Sequence, residues 1–331
     1  MKQRFRVAIT DLIDDDLAPE RAVLGDVAEV TALQAQSEAE LMGRIEQADA
    51  LIVYHLVRIT RQTIARLERC RIIARGGVGF DNIDGTYCRE RGIAVTNVPD
   101  YGTEEVADSA LGLLLALTRG IHGANSQLRE GDRPWAYATV APLVRLRGRV
   151  LGIIGLGRIG TAMALRGKAL GMEVAFYDPY KPDGYDKALG VRRVETLPEL
   201  LAQSLVTSLH CPLSPETYHL IAAAAITAMP RGSYLVNSAR GGVVDARAVL
   251  DALASGHLAG AGIDVLEQEP PLADDPLLAA WRDPRHPAYH RLILNPHLAW
   301  YCEDGKVEMR RKAAEACRCA LLGLPLRNRV N

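Results

Sequence analysis

The feature that most constrains this chain is a short apolar segment, residues 151–154, that runs directly into three closely spaced glycines. Gly155, Gly157 and Gly160 are followed by a stretch of helical character and then by a second apolar segment. A strand, a glycine turn of this spacing and a helix are typical of a parallel sheet that binds a dinucleotide. Gly155 permits the tight turn, Gly157 leaves the backbone open to a pyrophosphate, and Gly160 lets the helix pack closely on the strand.

An acidic residue at the end of the second apolar segment specifies the dinucleotide further. Asp178 lies 18 residues beyond Gly160, where a carboxylate can accept hydrogen bonds from both ribose hydroxyls and repel a 2′-phosphate. The sequence therefore predicts NAD rather than NADP, unless Asp178 only caps the turn before Pro179. Free N–H groups at the helix start favour phosphate, and Arg158 either neutralises its charge or is an ordinary surface cation. The predicted contacts of this motif are Gly155, Gly157, Arg158, Ile159, Gly160 and Asp178.

Strand-like and helical segments alternate along the chain. In the first hundred residues the pattern predicts strands at 7–10, 50–55, 71–77 and 92–99 and helices at 38–48 and 60–70. A long apolar helix is predicted from Thr103 to about His122, and the polar segment 123–148 is either a surface loop or a subunit-contact arm. Six further strands are predicted at 149–155, 173–178, 205–211, 233–239, 260–265 and 292–297. This alternation predicts an α/β fold with doubly wound parallel sheets.

The position of the glycine motif predicts how the chain divides. A chain of 331 residues is long enough for about two domains. Because the motif begins at residue 155, a separate α/β domain is expected to precede the nucleotide domain. The final predicted helix, 302–322, has no obvious place in the second sheet and is expected to pack back on the first.

Composition argues against several classes of partner. The net charge is -1 and aromatic residues make up 5%, so neither nucleic acid nor an anionic membrane is an expected partner. The most apolar run is too short to span a membrane, and the first residues lack the apolar stretch of a signal peptide, which predicts a cytoplasmic protein. The six cysteines form no CxxC pair, which predicts reduced, packed thiols and no metal site.

Three residues with acid–base chemistry follow three successive predicted strands. Arg240, Glu269 and His297 therefore lie at the strand ends where open α/β sheets build their sites. An arginine binds a carboxylate through two parallel hydrogen bonds, and a histidine gives a proton to a carbonyl oxygen as hydride arrives. A glutamate beside the histidine orients the ring and favours the imidazolium. The set predicts reversible reduction of a 2-oxoacid, with Glu267 as a weaker alternative to Glu269.

These segments together resemble the D-isomer-specific 2-hydroxyacid dehydrogenases, and most closely the C-terminal-binding-protein branch of that family. The motifs occur in the family's order and spacing at 74–84, 92–108, 155–160, 235–245, 260–270 and 296–310. Asp108 and Trp300 point to that branch. The resemblance implies two Rossmann-like domains, each a doubly wound parallel sheet. They are a discontinuous, flavodoxin-like substrate-binding domain at 1–100 and 300–331, and an NAD-binding domain at 101–299.

The resemblance also implies roles for individual residues. Arg240 would bind the substrate carboxylate, His297 would act as the acid/base, and Glu269 would pair with it. The glycine turn at 76–79 resembles a loop whose backbone amides hold the substrate carboxylate. The implied substrate contacts are Arg75, Gly77, Val78, Gly79, Tyr54, His55 and Trp300. The further implied cofactor contacts are Val78, Val106, Cys211, Pro212, Thr217, Ser238, Ala239 and Asp264. Alternatively, Trp300 is a core aromatic, and Tyr54 and His55 are ordinary strand-end residues.

Two hypotheses of different classes follow. The first is an NAD-dependent D-2-hydroxyacid dehydrogenase, a homodimer with its site in the cleft between the domains. Within it, Trp300 favours a 2-oxoacid with a hydrophobic or thioether side chain, whereas hydroxypyruvate or glyoxylate reduction and phosphite oxidation are alternatives. The second is an NAD(H)-sensing scaffold that binds protein partners, as corepressors of the same branch do. The near-neutral charge, and the expectation that no long tail follows Asn331, weigh against the scaffold.

Overall fold

The computed structural model describes residues 4–131 and 134–331. The chain divides into two compact units, one made of Met1–Gly102 with Cys302–Asn331 and the other of Thr103–Tyr301. These boundaries lie within two residues of those expected from the sequence. The final helix belongs to the first unit.

The first unit is built on a five-stranded parallel sheet. Its strands are β1 Phe5–Ile9, β2 Ala28–Ala32, β3 Ala50–Val53, β4 Ile72–Arg75 and β5 Ala94–Thr96. Its helices are α1 Ala18–Leu24, α2 Arg61–Arg66, α3 Gly85–Glu90 and α12 Glu303–Leu321, with a 3₁₀ turn at Glu38–Leu41. The strand order β2-β1-β3-β4-β5 is that of flavodoxin-like sheets. Helix α12 packs on α1, β3 and β4.

A buried ion-pair cluster fastens α12 to the N-terminal part of this unit. The guanidinium of Arg310 donates to Glu20 at 2.6 and 2.7 Å and to Asp15 at 2.5 and 3.0 Å. Glu20 is fully buried, and its Oε1 also accepts the hydroxyl of Tyr54 at 3.2 Å. The hydrogen bond from Arg310 lowers the pKa of Asp15 to about 2. A helix more than 200 residues away in sequence is thereby tied to α1 and to the loop that precedes it.

The second unit is built on a seven-stranded parallel sheet. Its strands are β6 Val150–Ile154, β7 Glu173–Tyr177, β8 Arg192–Arg193, β9 Ser204–Leu209, β10 Ser233–Asn237, β11 Leu258–Ile263 and β12 Leu292–Leu294. Its helices are α4 Thr103–Thr118, α5 Ile121–Arg129, α6 Arg158–Ala169, α7 Tyr185–Leu189, α8 Leu197–Gln203, α9 Ala223–Ala228, α10 Ala246–Ala254 and α11 Pro276–Arg282. Short 3₁₀ turns lie at Tyr137–Thr139 and Gly241–Val243.

The strand order β12-β11-β10-β9-β6-β7-β8 is the Rossmann order with one further strand at its edge. Successive side chains of a strand point to opposite faces of the sheet, and helices cover both faces of this sheet. Leu235 of β10 packs in one hydrophobic cluster with Val249 of α10, whereas Val236 packs in the other with Leu113 of α4. The order reverses between β6 and β9, so their carboxyl ends form the switch point where such sheets bind ligands.

Glycines explain two differences from the predicted elements. The predicted helix at 38–48 is wrong: only a 3₁₀ turn forms there, and the chain then turns at Gly43, whose φ is +80°. The long helix predicted to reach about His122 ends at Thr118, and α5 begins after Gly120, whose φ is +67°. Part of the polar segment 123–148 is therefore helical. Strand β2 and helices α1 and α3 were not predicted.

Candidate active site

The glycine turn lies at the switch point of the second unit, between β6 and α6. Gly155 has a φ of +86°, and a Cβ there would lie 2.7 Å from the backbone nitrogen of Cys211. A Cβ on Gly160 would lie 2.1 Å from the carbonyl oxygen of Gly155, so the first turn of α6 packs against the glycine turn too closely for any side chain at Gly160. A Cβ on Gly157 would meet no atom within 4 Å, and no side chain caps α6. These residues fit a pyrophosphate on the helix N-terminus, with Arg158 and Ile159 in its first turn.

Asp178 follows β7 and faces this turn. Its Oδ2 accepts the backbone N–H of Leu156 at 2.9 Å, and its Oδ1 accepts that of Tyr180 at 3.0 Å. The carboxylate therefore does cap the turn at Pro179, through the N–H of Tyr180. Because each carboxylate oxygen has a second lone pair, the same group can also accept ribose hydroxyls, so the predicted role in cofactor choice remains compatible with this geometry.

The loop after β9 borders the glycine turn. Burial raises the pKa of the Cys211 thiol to about 11, so the side chain acts there as a neutral, apolar group. Thr217 donates its hydroxyl to the carbonyl of Pro212 at 2.6 Å and accepts the N–H of Ser214 at 2.8 Å. These two hydrogen bonds fix the conformation of the loop from Pro212 to Thr217.

Arg240 lies in the loop after β10. Its Nη1 donates to the carbonyl of Ala239 at 2.8 Å. Buried Asn237 brackets the turn, because its Nδ2 donates to the carbonyl of Arg240 at 2.9 Å and its Oδ1 accepts the N–H of Ala239 at 3.0 Å. The Oγ of Ser238 is buried and has no hydrogen-bond partner within residues 4–131 and 134–331. Asn237 was not singled out in the sequence, although a polar residue ending an apolar strand was a usable signal.

His297 is held against a carboxylate by three successive features of its loop. Its Nδ1 lies 2.5 Å from Oε2 of Glu269, and both side chains are mostly buried. Its backbone N–H donates to the carbonyl of Asp264 at 2.7 Å, and the N–H groups of Leu298 and Ala299 donate to the carboxylate of Asp264. His297 adopts a φ of +51°, a left-handed conformation that few histidines adopt. The buried Asp264 therefore fixes the backbone that presents the imidazole, and burial raises the pKa of Asp264.

The two candidate glutamates occupy different environments. Glu269 contacts His297, and its Oε1 accepts the N–H of Leu266 at 2.8 Å. Glu267 instead accepts the hydroxyl of Tyr218 at 2.7 Å and lies 3.1 Å from Nε2 of His219. The structure thus brings Glu269, and not Glu267, together with the histidine.

Trp300 lies three residues beyond His297 and packs edge-to-face on Tyr301, with ring centroids 5.7 Å apart. Val106, in α4, is buried.

The remaining predicted residues lie in the first unit. Arg75 ends β4, is buried, and donates its Nη1 to the carbonyl of Gly76 at 2.6 Å, directly over Gly77. Val78 and Gly79 continue this turn, and the carbonyl of Val78 accepts Nδ2 of Asn97 at 2.7 Å. The ring of Tyr54 lies against Gly76, and the Tyr54 hydroxyl is engaged with Glu20, whereas His55 is exposed. Burial raises the pKa of Tyr54 well above its usual value.

In the part of the chain that the structure describes, no cluster of His, Cys, Asp and Glu is arranged to hold a metal ion. Within the same residues, no helix is both long and apolar enough to cross a membrane.

Comparisons with known proteins give consistent relatives. A family model described as "D-isomer specific 2-hydroxyacid dehydrogenase, NAD binding domain" matches residues 111–299. The chain is 35% identical over 98% of its length to D-3-phosphoglycerate dehydrogenase of Methanocaldococcus jannaschii, of which it spans 59%. It is 39% identical over 84% of its length to glyoxylate reductase of Korarchaeum cryptofilum, of which it spans 81%. A crystal structure of D-lactate dehydrogenase from Aquifex aeolicus, complexed with NAD and lactic acid, superposes with a TM-score of 0.85, 28% identity and 96% coverage of both chains.

Proposed function

Because the chain belongs to the D-isomer-specific 2-hydroxyacid dehydrogenase family and contains its NAD-binding domain, we propose that it interconverts a D-2-hydroxyacid and a 2-oxoacid. The observation that carries the proposal is the contact of 2.5 Å between His297 and Glu269 at the carboxyl edge of the second sheet. Arg240 follows the neighbouring strand, so a carboxylate-binding cation and an acid–base pair share one edge.

Each of the three residues has a distinct task in this proposal. The guanidinium of Arg240 binds the carboxylate of the substrate. Glu269 engages Nδ1 of His297, so Nε2 is the nitrogen that exchanges a proton with the substrate oxygen. NAD held by the glycine turn and Asp178 would supply the hydride chemistry at C2 of the substrate. In the reductive direction, His297 gives its proton to the oxygen at C2, and Glu269 stabilises the imidazolium beforehand.

The proposal is tested by oxidation of NADH with a panel of 2-oxoacids. We expect turnover by the wild-type protein and a loss of about 10²–10⁴-fold in kcat for His297→Ala, the usual size of an acid–base contribution. His286→Ala, a histidine whose imidazole accepts the N–H of Ala288, is the matched control and is expected to retain activity. Turnover no faster than that of the His297→Ala variant with every acid would refute the proposal.

The choice of NAD over NADP is proposed to rest on Asp178. Replacing this carboxylate with serine removes the group that repels a 2′-phosphate, so the ratio of affinities for NADH and NADPH should fall by about tenfold or more. The measurement is nicotinamide fluorescence on binding. Asp186→Ser, a nearby acid in α7, is the control, and an equal change in both variants would count against Asp178.

The identity of the substrate is proposed from Trp300. A large ring three residues beyond His297 favours a hydrophobic or thioether side chain, such as that of 4-methylthio-2-oxobutyrate. The relative from Korarchaeum cryptofilum is a glyoxylate reductase, so glyoxylate is the competing substrate. A large preference for glyoxylate in kcat/KM would exclude the hydrophobic pocket. The assignment to the C-terminal-binding-protein branch rests on Asp108 and Trp300 in the sequence, and it remains a prediction, as do the scaffold function and a cytoplasmic location.

A homodimer is proposed from the segment that follows α4. Helix α5 has no buried residue, and Ile121, Trp135 and Tyr137 are 59%, 91% and 88% exposed. Large apolar side chains this exposed on one segment are typical of a contact surface. Light scattering after gel filtration should give twice the chain mass for the wild type and a lower mass for a Trp135→Ser/Tyr137→Ser variant. A monomeric wild type would exclude the dimer.

A further inference from the structure

Glu267 has no part in the acid–base pair, yet its carboxylate is held by two side chains. The hydroxyl of Tyr218 donates to Oε1 at 2.7 Å, and Nε2 of His219 lies 3.1 Å from Oε2. The rings of Tyr218 and His219 stack with centroids 4.1 Å apart. The hydrogen bond from Tyr218 lowers the pKa of Glu267 and so favours its charged form. Asp245 is a further charged group close enough to influence Glu267.

This cluster connects the loops that follow three neighbouring strands. Tyr218 and His219 lie in the loop after β9, and Glu267 lies in the loop after β11. The backbone N–H of His219 donates to the carbonyl of Gly242, in the loop after β10, at 2.8 Å. His219 adopts a φ of +49°, and its ring stacks on Tyr218 and reaches Glu267.

The loop after β10 also presses directly on the loop of Glu267. A Cβ on Gly241 would lie 1.9 Å from the carbonyl carbon of Leu266 and 2.2 Å from the backbone nitrogen of Glu267. Leu266 in turn donates its N–H to Oε1 of Glu269. The backbone at Leu266 therefore meets the arginine loop on one side and positions the catalytic carboxylate on the other.

We propose that Glu267 is a positioning residue, which forms with Tyr218 and His219 a clip that keeps Glu269 against His297 and the Arg240 loop beside it. The inference rests on the proposed function for its kinetic consequences. When the clip is absent, the backbone at 265–269 loses its attachment to the loop after β9. Displacement of a catalytic group by about 1 Å costs up to about 10²-fold in rate, so the effect appears in kcat.

The kinetic test compares Tyr218→Phe and Glu267→Ala with a matched control. We expect both variants to lower kcat by about 5- to 20-fold, with the KM for the 2-oxoacid changed by less than about threefold. Tyr180→Phe removes an equivalent tyrosine–glutamate bond, to Glu216, which lies two residues before Tyr218 in the same loop but does not reach Glu267, and its kcat is expected to match the wild type. Glu267→Gln keeps an acceptor for Tyr218 and should recover part of the lost rate.

A further readout separates positioning from stability. Hydrogen exchange of residues 264–270, measured without substrate, should accelerate in Glu267→Ala. A lower melting temperature with kcat and loop exchange both as in the wild type would overturn the clip. Absence of wild-type turnover would refute the proposed function, while the exchange experiment would still decide on the clip.

Discussion

His210 should make the second unit lose stability as the pH falls below neutral. It follows β9, its backbone N–H donates to the carbonyl of Ile154 at 2.8 Å, and its Nε2 lies 2.9 Å from Oγ of Ser208. Its Nδ1 is sealed from solvent and has no hydrogen-bond partner in the described part of the chain. Burial lowers the pKa of His210 from 6.5 to about 4.

The sign and size follow from this pKa. Between pH 6.5 and 4 the unfolded chain binds a proton that the folded chain excludes, so the unfolding free energy falls as the pH falls. Integrating the two titrations gives a loss of about 2 kcal/mol between pH 7.5 and pH 5. The stabilising contribution is complete above pH 6.5 and is lost progressively as the pH falls toward 4.

The perturbation that tests this is His210→Gln, which cannot titrate. Trp135, Trp281 and Trp300 all lie in the second unit, so urea unfolding followed by tryptophan fluorescence reports on the unit that contains His210. Whatever packing the glutamine loses is the same at every pH. The curves of unfolding free energy against pH should therefore differ in slope, with the variant losing about 2 kcal/mol less between pH 7.5 and 5. Parallel curves would refute the reasoning.

Three further predictions concern packing and selectivity. Gly160→Ala places a Cβ 2.1 Å from the carbonyl oxygen of Gly155, so α6 must shift, and NADH affinity measured by fluorescence should fall by about tenfold or more; unchanged affinity would contradict the close packing. Arg310→Met leaves the buried carboxylate of Glu20 without its cation and should cost about 3–5 kcal/mol in urea unfolding followed by circular dichroism. Adding Glu20→Gln should recover most of that loss, and equal stability of the single and double variants would show that the buried charge is not the cause. Trp300→Ala should change the ratio of kcat/KM between a thioether and a small 2-oxoacid by about tenfold, and an unchanged ratio would place the ring outside the substrate pocket.

The strands were largely predictable, whereas several helices were not. Central strands of a parallel sheet are buried on both faces, so β3 and β6 read as continuous apolar runs. The edge strand β2 alternates buried and exposed residues and lacks that signal. Leu41 and Ile45 have helical spacing and are both fully buried, yet the chain between them turns at Gly43. Periodicity identified the buried positions there without determining the backbone that buries them.

The sequence by itself determined the glycine turn and the chemical types at the site, because a strand, turn and helix are specified by residues close together in the chain. The family resemblance favoured Glu269 over Glu267 as the partner of the histidine, and the tertiary structure supplied the contact itself. Glu267 and Glu269 are chemically identical and two residues apart, and which of them meets His297, 28 residues beyond Glu269, depends on how the loops after β9, β10 and β11 pack. The same holds for the last helix, whose attachment through Arg310 depends on a buried carboxylate 290 residues away. Such contacts between distant segments leave no local pattern, because their energy is realised only when the chain is folded.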